Sequence, residues 1–413
     1  GFDIPNLQRK TVDDTLKELD KNPHVANQDV IDVLKIRQSL GKSSTSKYKA
    51  FENRCDRLDN RVRDNLLYHG ASTGRWAGSG VQPQNFPRGT IKVPPYAYED
   101  IYWDDLDMLS LGYGDPMDLF SSALRGMIVA TPGKELFCAD FSSIEARILL
   151  WVAGDTKGLR EYETGMDIYC TMASTIYKTK YEDILAEYKA EGYSEKRQVG
   201  KKVILACGYQ MGLKKFIQVC KDEGLSVAES LLQKAHEAFK EKYPLVPRVW
   251  SNYEKAAIAA VNSPGKKYTI NKVSWFTEGD FLFAKLPSGR KLAYYRPEVR
   301  NEETPWGEMR EKLYHYTVDS KTKQWVLRAT YGGMLTENVV QAISRDCMAE
   351  SMTRVEDAGY EILITVHDEV LAERTENEGN LKDFEALMSM RPDWGKDIPL
   401  KVGGWTGFRY RKG

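Results

Sequence analysis

The sequence has little cysteine for its length, six residues in 413, and no two of them form a CxxC pair. That spacing leaves neither a zinc knuckle nor a thioredoxin-like redox motif to build a function on. Cys138, Cys207 and Cys220 lie in apolar or helical surroundings and are expected to be reduced core residues. No apolar run approaches membrane-spanning length, and no signal peptide opens the chain, so an intracellular soluble protein is the expectation. There is no internal repeat and no low-complexity tract. Net charge is lacking too: 59 basic and 59 acidic residues cancel, so overall charge neither predicts nor excludes a nucleic-acid partner.

What is present is an ordinary globular composition, 42% apolar and 29% charged, long enough for two or three domains or one multi-lobed enzyme. Charge is distributed unevenly. Lys196, Arg197, Lys201, Lys202, Lys214, Lys215 and Lys221 fall in one stretch, and Arg409, Arg411 and Lys412 make the tail basic. Acidic groups gather in Tyr98–Asp107.

The first 65 residues read as helix-rich, with helices over Val30–Leu40, ended by Gly41-Lys42-Ser43-Ser44, and over Lys47–Leu58. Tyr68–Arg88 is Gly-, Ser- and Gln-rich without apolar periodicity, a long loop of the kind that is usually functional or disordered. Ile91–Gly114 reads as irregular surface structure, and Leu119–Ile128 as helix. Leu136–Ala139 is a short buried strand, and Asp140 is expected where that strand ends. From Ser142 onward Ile144, Ile148, Leu149 and Val152 keep helical spacing.

Further helices are expected over Asp167–Tyr177, Glu182–Ala190, Glu195–Cys207, Gly212–Glu223, Val227–Lys242 and Val246–Asn262. Tyr268–Arg328 alternates like aromatic-rich strands, with turns at Ser288-Gly289 and Trp306-Gly307. Leu335–Asp357 is a long amphipathic helix, Glu361–Arg374 a β-hairpin and Phe384–Met390 a helix.

Four constellations carry chemistry, and each has a bland alternative. Asp140 at a strand-to-helix corner could be a helix cap. His367-Asp368-Glu369 at the hairpin tip could be plain turn residues. Arg197, Lys201, Leu205 and Tyr209 are four apart and share one helical face, which could be only a solvated stripe. Thr73-Gly74-Arg75 with Gln82, Gln84 and Asn85 could be a glycine-rich loop.

Their wording and order decide otherwise. DFSSIEARILLWVAGD resembles motif A of family A DNA polymerases, the bacterial DNA polymerase I type, and HDE on a buried hairpin resembles motif C. The Arg-Lys-apolar-Tyr helix resembles motif B, and TGR…QN resembles the segment that contacts the primer–template minor groove. The wording is closer to phage-type members. The chain departs from the pattern at Leu205, where an aromatic is usual, at Gln210, where Gly is common, and at Gln82, where the family has Asn. It departs also at Glu337, where Asn is frequent, at Gly333, where the family has Arg, and at Tyr169, which stands in a His position.

The resemblance implies an α+β right-hand polymerase with an antiparallel-sheet palm and helical fingers, the thumb mostly absent. Residues 1–64 would then hold the end of a thumb and the way into the palm, and 65–154 the first palm part. Residues 155–328 would be fingers with a strand-rich excursion at 265–328, and 329–413 the second palm part. It implies Asp140 and Asp368 as ligands of two Mg²⁺ ions, for which Mn²⁺ can substitute, with Glu369 in support. Lys201 joins these as a catalytic residue. Arg197, Lys201, Leu205, Tyr209, Glu145 and Tyr169 would bind the dNTP, with Glu145 excluding a ribose 2′-OH. Arg75, Gln82, Gln84, Asn85, Gln341 and His367 would contact DNA. The implied partners are primer–template DNA, dNTPs and an upstream thumb or exonuclease segment or subunit, with no membrane. The implied location is the cytoplasm of a bacterial or phage-infected cell, and the chain would be a fragment or one part of a split protein. Two alternatives remain open, a single-subunit RNA polymerase and a non-catalytic DNA-binding relative. Glu145 and the paired Asp residues weigh against them.

Overall fold

The computed structural model describes residues 3–40, 44–87, 89–103, 105–225, 227–303, 307–319 and 321–412. Helices α1 (Arg9–Lys21) and α2 (Gln28–Leu40) pair over a small core of Val12, Leu16, Leu19, Ile31 and Leu34. The expected stop at Gly41-Lys42-Ser43 lies outside the described residues. Helix α3 spans Ser44–Arg54 and ends earlier than expected, because Asp56 and Asp59 cap a tight turn whose chain returns in a Cys55–Val62 bridge. The glycine-rich loop is indeed mostly loop, pinned by a two-stranded ribbon, β1 (Leu66–Leu67) with β2 (Ala77–Gly78).

Residues 91–114 are not irregular. They form α4 (Ala97–Trp103) and α5 (Leu106–Tyr113), and α6 (Pro116–Ala123) follows. The side chain of Asp105 accepts the Asp107 and Met108 N–H groups, and Ala97, Leu109 and Leu119 form a core of three. Helices this short carry too few apolar positions for a periodicity to show. The expected Leu119–Ile128 helix shifts back to Pro116, and a 3-10 turn, Arg125–Met127, finishes it.

Strand β3 (Lys134–Phe141) leads through a tight turn into α7 (Ile144–Ala153). Asp140 therefore lies inside the strand, not at its end. Ser143, at φ 52°, makes the turn, so the helix begins two residues later than Ser142. As the spacing requires, Ile144, Ile148, Leu149 and Val152 are all buried. A helical block follows: α8 (Thr156–Glu163), α9 (Ile168–Tyr177), α10 (Tyr181–Glu191), α11 (Glu195–Cys207), α12 (Leu213–Asp222), α13 (Glu229–Lys242) and α14 (Leu245–Asn262).

Next come six antiparallel strands joined in sequence order. They are β4 (Tyr268–Ile270), β5 (Val273–Glu278), β6 (Phe281–Lys285), β7 (Lys291–Glu303), β8 (Met309–Val318) and β9 (Trp325–Thr330). The Ser288-Gly289 turn is present, with Gly289 at φ 88°. Of the other expected turn, Trp306 lies outside the described residues. The chain closes with α15 (Gly332–Asp357), the hairpin β10 (Glu361–Val366) and β11 (Glu369–Thr375), α16 (Leu381–Ser389) and β12 (Val402–Gly407).

The second sheet runs β10-β11-β3-β12, all antiparallel, so its central strand comes from mid-sequence and the others from the last 53 residues. One continuous core joins this sheet to the helical block and the inner face of the six-stranded sheet, through Phe137, Ile148, Val203, Trp250, Trp275, Val340 and Val370. All six cysteines are free, and Cys138, Cys207 and Cys220 are buried, as expected.

Candidate active site

Register places the two acidic strands. Asp140 lies opposite Glu369 on β11 and opposite Gly403 on β12. Two residues, His367 and Asp368, turn β10 into β11, with His367 at φ 57°. The Phe141 N–H donates to the Asp368 carbonyl at 3.1 Å, which fixes the Asp368 turn against the end of β3. Asp140 and Asp368 thus arrive side by side from residues 228 apart.

Their electrostatics are unfavourable as they stand. Asp140 is open at its tip, yet the protein crowding it raises its pKa to about 6, and Glu369 adds to the rise. Burial takes Asp368 to about 6 as well, with Glu145 and Asp140 contributing and Arg75 opposing. Glu369 is buried and accepts a hydrogen bond from the Tyr410 hydroxyl. It is bound into the C-terminal segment, next to Asp140.

The donor set suits a hard divalent cation. Its oxygens are carboxylates disfavoured as anions, and on one side of Asp140 Gly403 leaves open space, where a Cβ would meet nothing within 4 Å. Among the described residues no three His, Cys, Asp or Glu side chains gather into a cage. Mg²⁺ sites completed by phosphate and water have that character.

Across the cleft, Arg75 donates to Glu145 at 2.6 Å and to Asp368 at 3.3 Å. The Tyr209 hydroxyl donates to the other Glu145 oxygen at 2.9 Å. Burial raises the Tyr209 pKa well above its ordinary value, with Glu145 adding to it, so the hydroxyl keeps its proton. Three sequence-predicted residues therefore meet on one carboxylate. Tyr209 itself stands beyond the helix expected to carry it, because α11 ends at Cys207.

On α11, Arg197 donates through Nε to Asp167 at 2.9 Å. Asp167 also caps α9 by accepting the Tyr169 and Cys170 N–H groups. The Tyr169 ring faces the Arg197 guanidinium at 5.1 Å and the Lys201 ammonium at 5.8 Å. Its hydroxyl is 3.1 Å from Ser143 Oγ. Leu205, half exposed, stays on the open face of α11.

The loop residues meet the hairpin. Gln84 donates to the Thr365 carbonyl at 3.1 Å, and His367 Nε2 lies 3.3 Å from the Gln84 carbonyl. Asn85 donates to Gln82, whose backbone is left-handed at φ 52°. Gln341 donates to Glu337 at 3.2 Å. The Glu337 carboxyl is raised in pKa by burial and by Glu145.

Two departures from the family pattern explain each other. Gln210 takes a left-handed φ of 62°, where Gly would cost less, and its side chain accepts the Gly333 N–H at 2.9 Å. At Gly333 any Cβ would overlap the Tyr209 carbonyl and the Gln210 Cβ. The bare backbone at 333 is what lets the Gln210 side chain reach it.

Sequence reasoning missed the supports. Arg345, buried, donates to the Gly74 carbonyl at 3.0 Å and lies 4.7 Å from the Trp76 ring. Arg290 donates to Asp346 at 2.8 Å and to the Ala342 carbonyl at 2.9 Å. Arg147 donates to the carbonyls of Ser142 and Pro399, both at 2.7 Å, and so fixes the β3–α7 turn. None of these has a local motif. For Arg147 and Arg345 the visible signal is limited to a charge inside a helix whose neighbours are buried; Arg290, at a turn, has none.

An acid pair brought together by an antiparallel sheet from distant parts of the chain, with a helical block inserted between those parts, is the architecture of a right-hand polymerase fold. The chain belongs to DNA polymerase family A, whose sequence profile matches residues 5–412. It is 34% identical over 414 residues to the "DNA polymerase" of Bacillus phage SP02, covering 100% of this chain and 61% of that protein. It is 23% identical over 283 residues to "DNA polymerase I, thermostable" of Thermus thermophilus, covering 68% of this chain and 27% of that one. The fold resembles the POL domain of Pol1 from M. smegmatis, solved with DNA primer-template and dNTP. The TM-score is 0.58 at 17% identity, covering 96% of this chain and 55% of that chain. The chain thus spans about three fifths of the phage relative.

Proposed function

We propose that this chain is the catalytic part of a template-directed DNA polymerase that adds dNTPs to a primer 3′-hydroxyl. The observation that carries the reading is the convergence of Asp140 and Asp368 opposite Arg75, Glu145 and Tyr209. The palm would consist of residues 65–154 and 329–413, with the fingers, including the strand-rich excursion, at 155–328.

Asp140 and Asp368 would hold two Mg²⁺ ions, or Mn²⁺ in their place, which when bound activate the hydroxyl and neutralise developing phosphate charge. The chain's own residues bind and orient. Lys201 and Arg197 meet the triphosphate as cations and Tyr169 as a hydroxyl donor. The bond to Asp167 uses only Nε of Arg197. Leu205 and Tyr209 pack on base and sugar, and Glu145, held from both sides, blocks a 2′-OH. Glu369 supports the β11 end of the pair. Arg75, Gln82, Gln84, Asn85, Gln341 and His367 line the duplex, where amides and a guanidinium suit the minor-groove acceptors common to all pairs. The primer hydroxyl attacks the α-phosphate and pyrophosphate leaves. Among the described residues no helix is long and apolar enough to cross a membrane, and such substrates are those of the cytoplasm of a bacterial or phage-infected cell.

The test is primer extension with dNTPs and rNTPs in parallel. Asp140→Ala and Asp368→Ala should each abolish extension, while primer–template binding persists because phosphate contacts supply most affinity. Near-normal turnover in either variant removes the acid-pair assignment.

A further inference from the structure

The six-stranded sheet has a face that the reaction does not use. Its inner face carries Val273, Trp275, Leu282, Leu292 and Tyr294, and packs on α14. Register puts Phe276 opposite Phe283, Phe281 opposite Tyr295, and Val318 opposite Trp325 on the outer face. These rings touch in series across the sheet. Phe276–Phe283, Phe283–Phe281, Phe281–Tyr295 and Tyr295–Trp325 have centroids 5.8, 5.7, 5.2 and 5.6 Å apart.

Cross-strand aromatic pairs stabilise sheets, but this sheet is already held by its inner face. A chain of five rings left partly open to water, with Trp325 61% exposed, is more than pairing requires.

Cations lie against three of these rings. The Lys291 ammonium lies 5.3 Å above Phe276 and 4.8 Å above Phe283, and the Arg296 guanidinium 5.2 Å from the Tyr295 ring. Their acidic partners, Glu278 and Asp280, are exposed at 65% and 63%. Such surface pairs are worth little and exchange readily for another anion. Flat rings interleaved with exchangeable cations form a stacking platform for unpaired bases and their phosphates.

Position supplies the occupant. The β6–β7 turn ends on α15, where Ser288 and Arg290 bond Asp346, and Arg290 abuts Gly74, next to Arg75. Lys285 and Lys291 form the strand pair nearest that turn, and the rings run outward from them. The platform is thus continuous with the loop assigned to the duplex.

We propose that the outer face of this sheet binds single-stranded DNA, the unpaired template overhang that continues beyond the duplex. This rests on the polymerase reading for the identity of the strand, though not for the binding itself.

The test uses the full chain and fluorescence anisotropy without dNTPs. The probes are a labelled (dT)20, a primer–template with a 20-nucleotide 5′ overhang and the same duplex with blunt ends. Wild type should bind the overhang substrate more tightly than the blunt one. Trp325→Ala, which removes an exposed ring, and the pair Lys285→Glu/Lys291→Glu, which spares the rings, should each weaken (dT)20 binding by about tenfold. Blunt-duplex affinity and melting temperature should stay the same. Unchanged (dT)20 affinity in both variants overturns the proposal, and so does equal loss on the blunt duplex. A face built for a protein partner gives the first of those results. Loss of (dT)20 binding in a protein that never extends primers would sink the polymerase reading and leave this one standing.

Discussion

Glu145 is the residue whose role is most sharply defined by its surroundings. Arg75 and Tyr209 each hold one of its oxygens, which fixes the carboxylate in place. Glu145→Ala should raise the ratio of rNTP to dNTP kcat/KM by roughly two to three orders of magnitude, since each 1.36 kcal/mol of relieved clash is about tenfold. An unchanged ratio would make it only a structural acceptor for Arg75 and Tyr209. The acid pair gives a prediction in pH. Both carboxyls have folded pKa values near 6, above the ordinary 3.8, so the folded chain holds protons that the unfolded chain releases. Without divalent metal, the pair's own contribution to stability, read as wild type minus Asp140→Asn/Asp368→Asn, should therefore fall as pH rises from about 4 through 6 and stay level above that. Thermal scans at pH 7.5 should show millimolar Mg²⁺ raising the melting temperature by roughly one to three degrees. Asp140→Asn/Asp368→Asn should be insensitive to Mg²⁺. Wild-type and double-variant curves that run parallel between pH 4 and 6 would refute the account.

Single elements show what the sequence reveals and what it hides. The α7 and α11 helices were legible because their apolar positions repeat at helical spacing and meet one continuous core. The ends of elements were less so. Asp140 was read as a strand end, yet pairing with Glu369 and Gly403 carries β3 one residue further, and those partners lie more than 220 positions away. Tyr209 kept the four-residue spacing of Arg197 and Lys201 but left the helix, because α15 packs where a further turn would run. The contact of Gly333 with Gln210 was invisible for the same reason: 123 residues separate them. It is testable by a double-mutant cycle. Gly333→Ala should destabilise by about 1–3 kcal/mol through overpacking. Adding Gln210→Gly, which removes the Cβ it strikes and the strained φ, should recover part of that, with a coupling of about 0.5–3 kcal/mol. Urea unfolding measures it, and strict additivity would mean that the two departures arose independently.

At the scale of the molecule, Arg290 joins the strand-rich sheet to α15 and to the loop at Gly74. Arg290 bonds the buried Asp346 and the Ala342 carbonyl on α15, and its guanidinium lies against Gly74. Arg290→Ala leaves Asp346 with Arg345 at 3.5 Å and Ser288 as its polar partners. The expected cost is about 2–4 kcal/mol in unfolding free energy, with weaker primer–template binding and little change in kcat at saturating DNA. Stability loss without any change in DNA affinity would confine Arg290 to the core. The architecture itself was legible from four motifs in order, whereas this brace was not, because it joins a turn to a helix face with no local pattern.

The order of the acidic sheet also has a consequence for synthesis on the ribosome. β3 is its central strand, and both neighbours, β11 and β12, lie beyond residue 368. From Phe141 to Glu369 about 230 residues must be translated before either edge of Leu136-Phe137-Cys138-Ala139 finds a partner. At ~5–20 residues per second that is on the order of 10–40 s. For that interval the nascent chain carries an apolar strand with two unpaired edges, open to any other strand it meets.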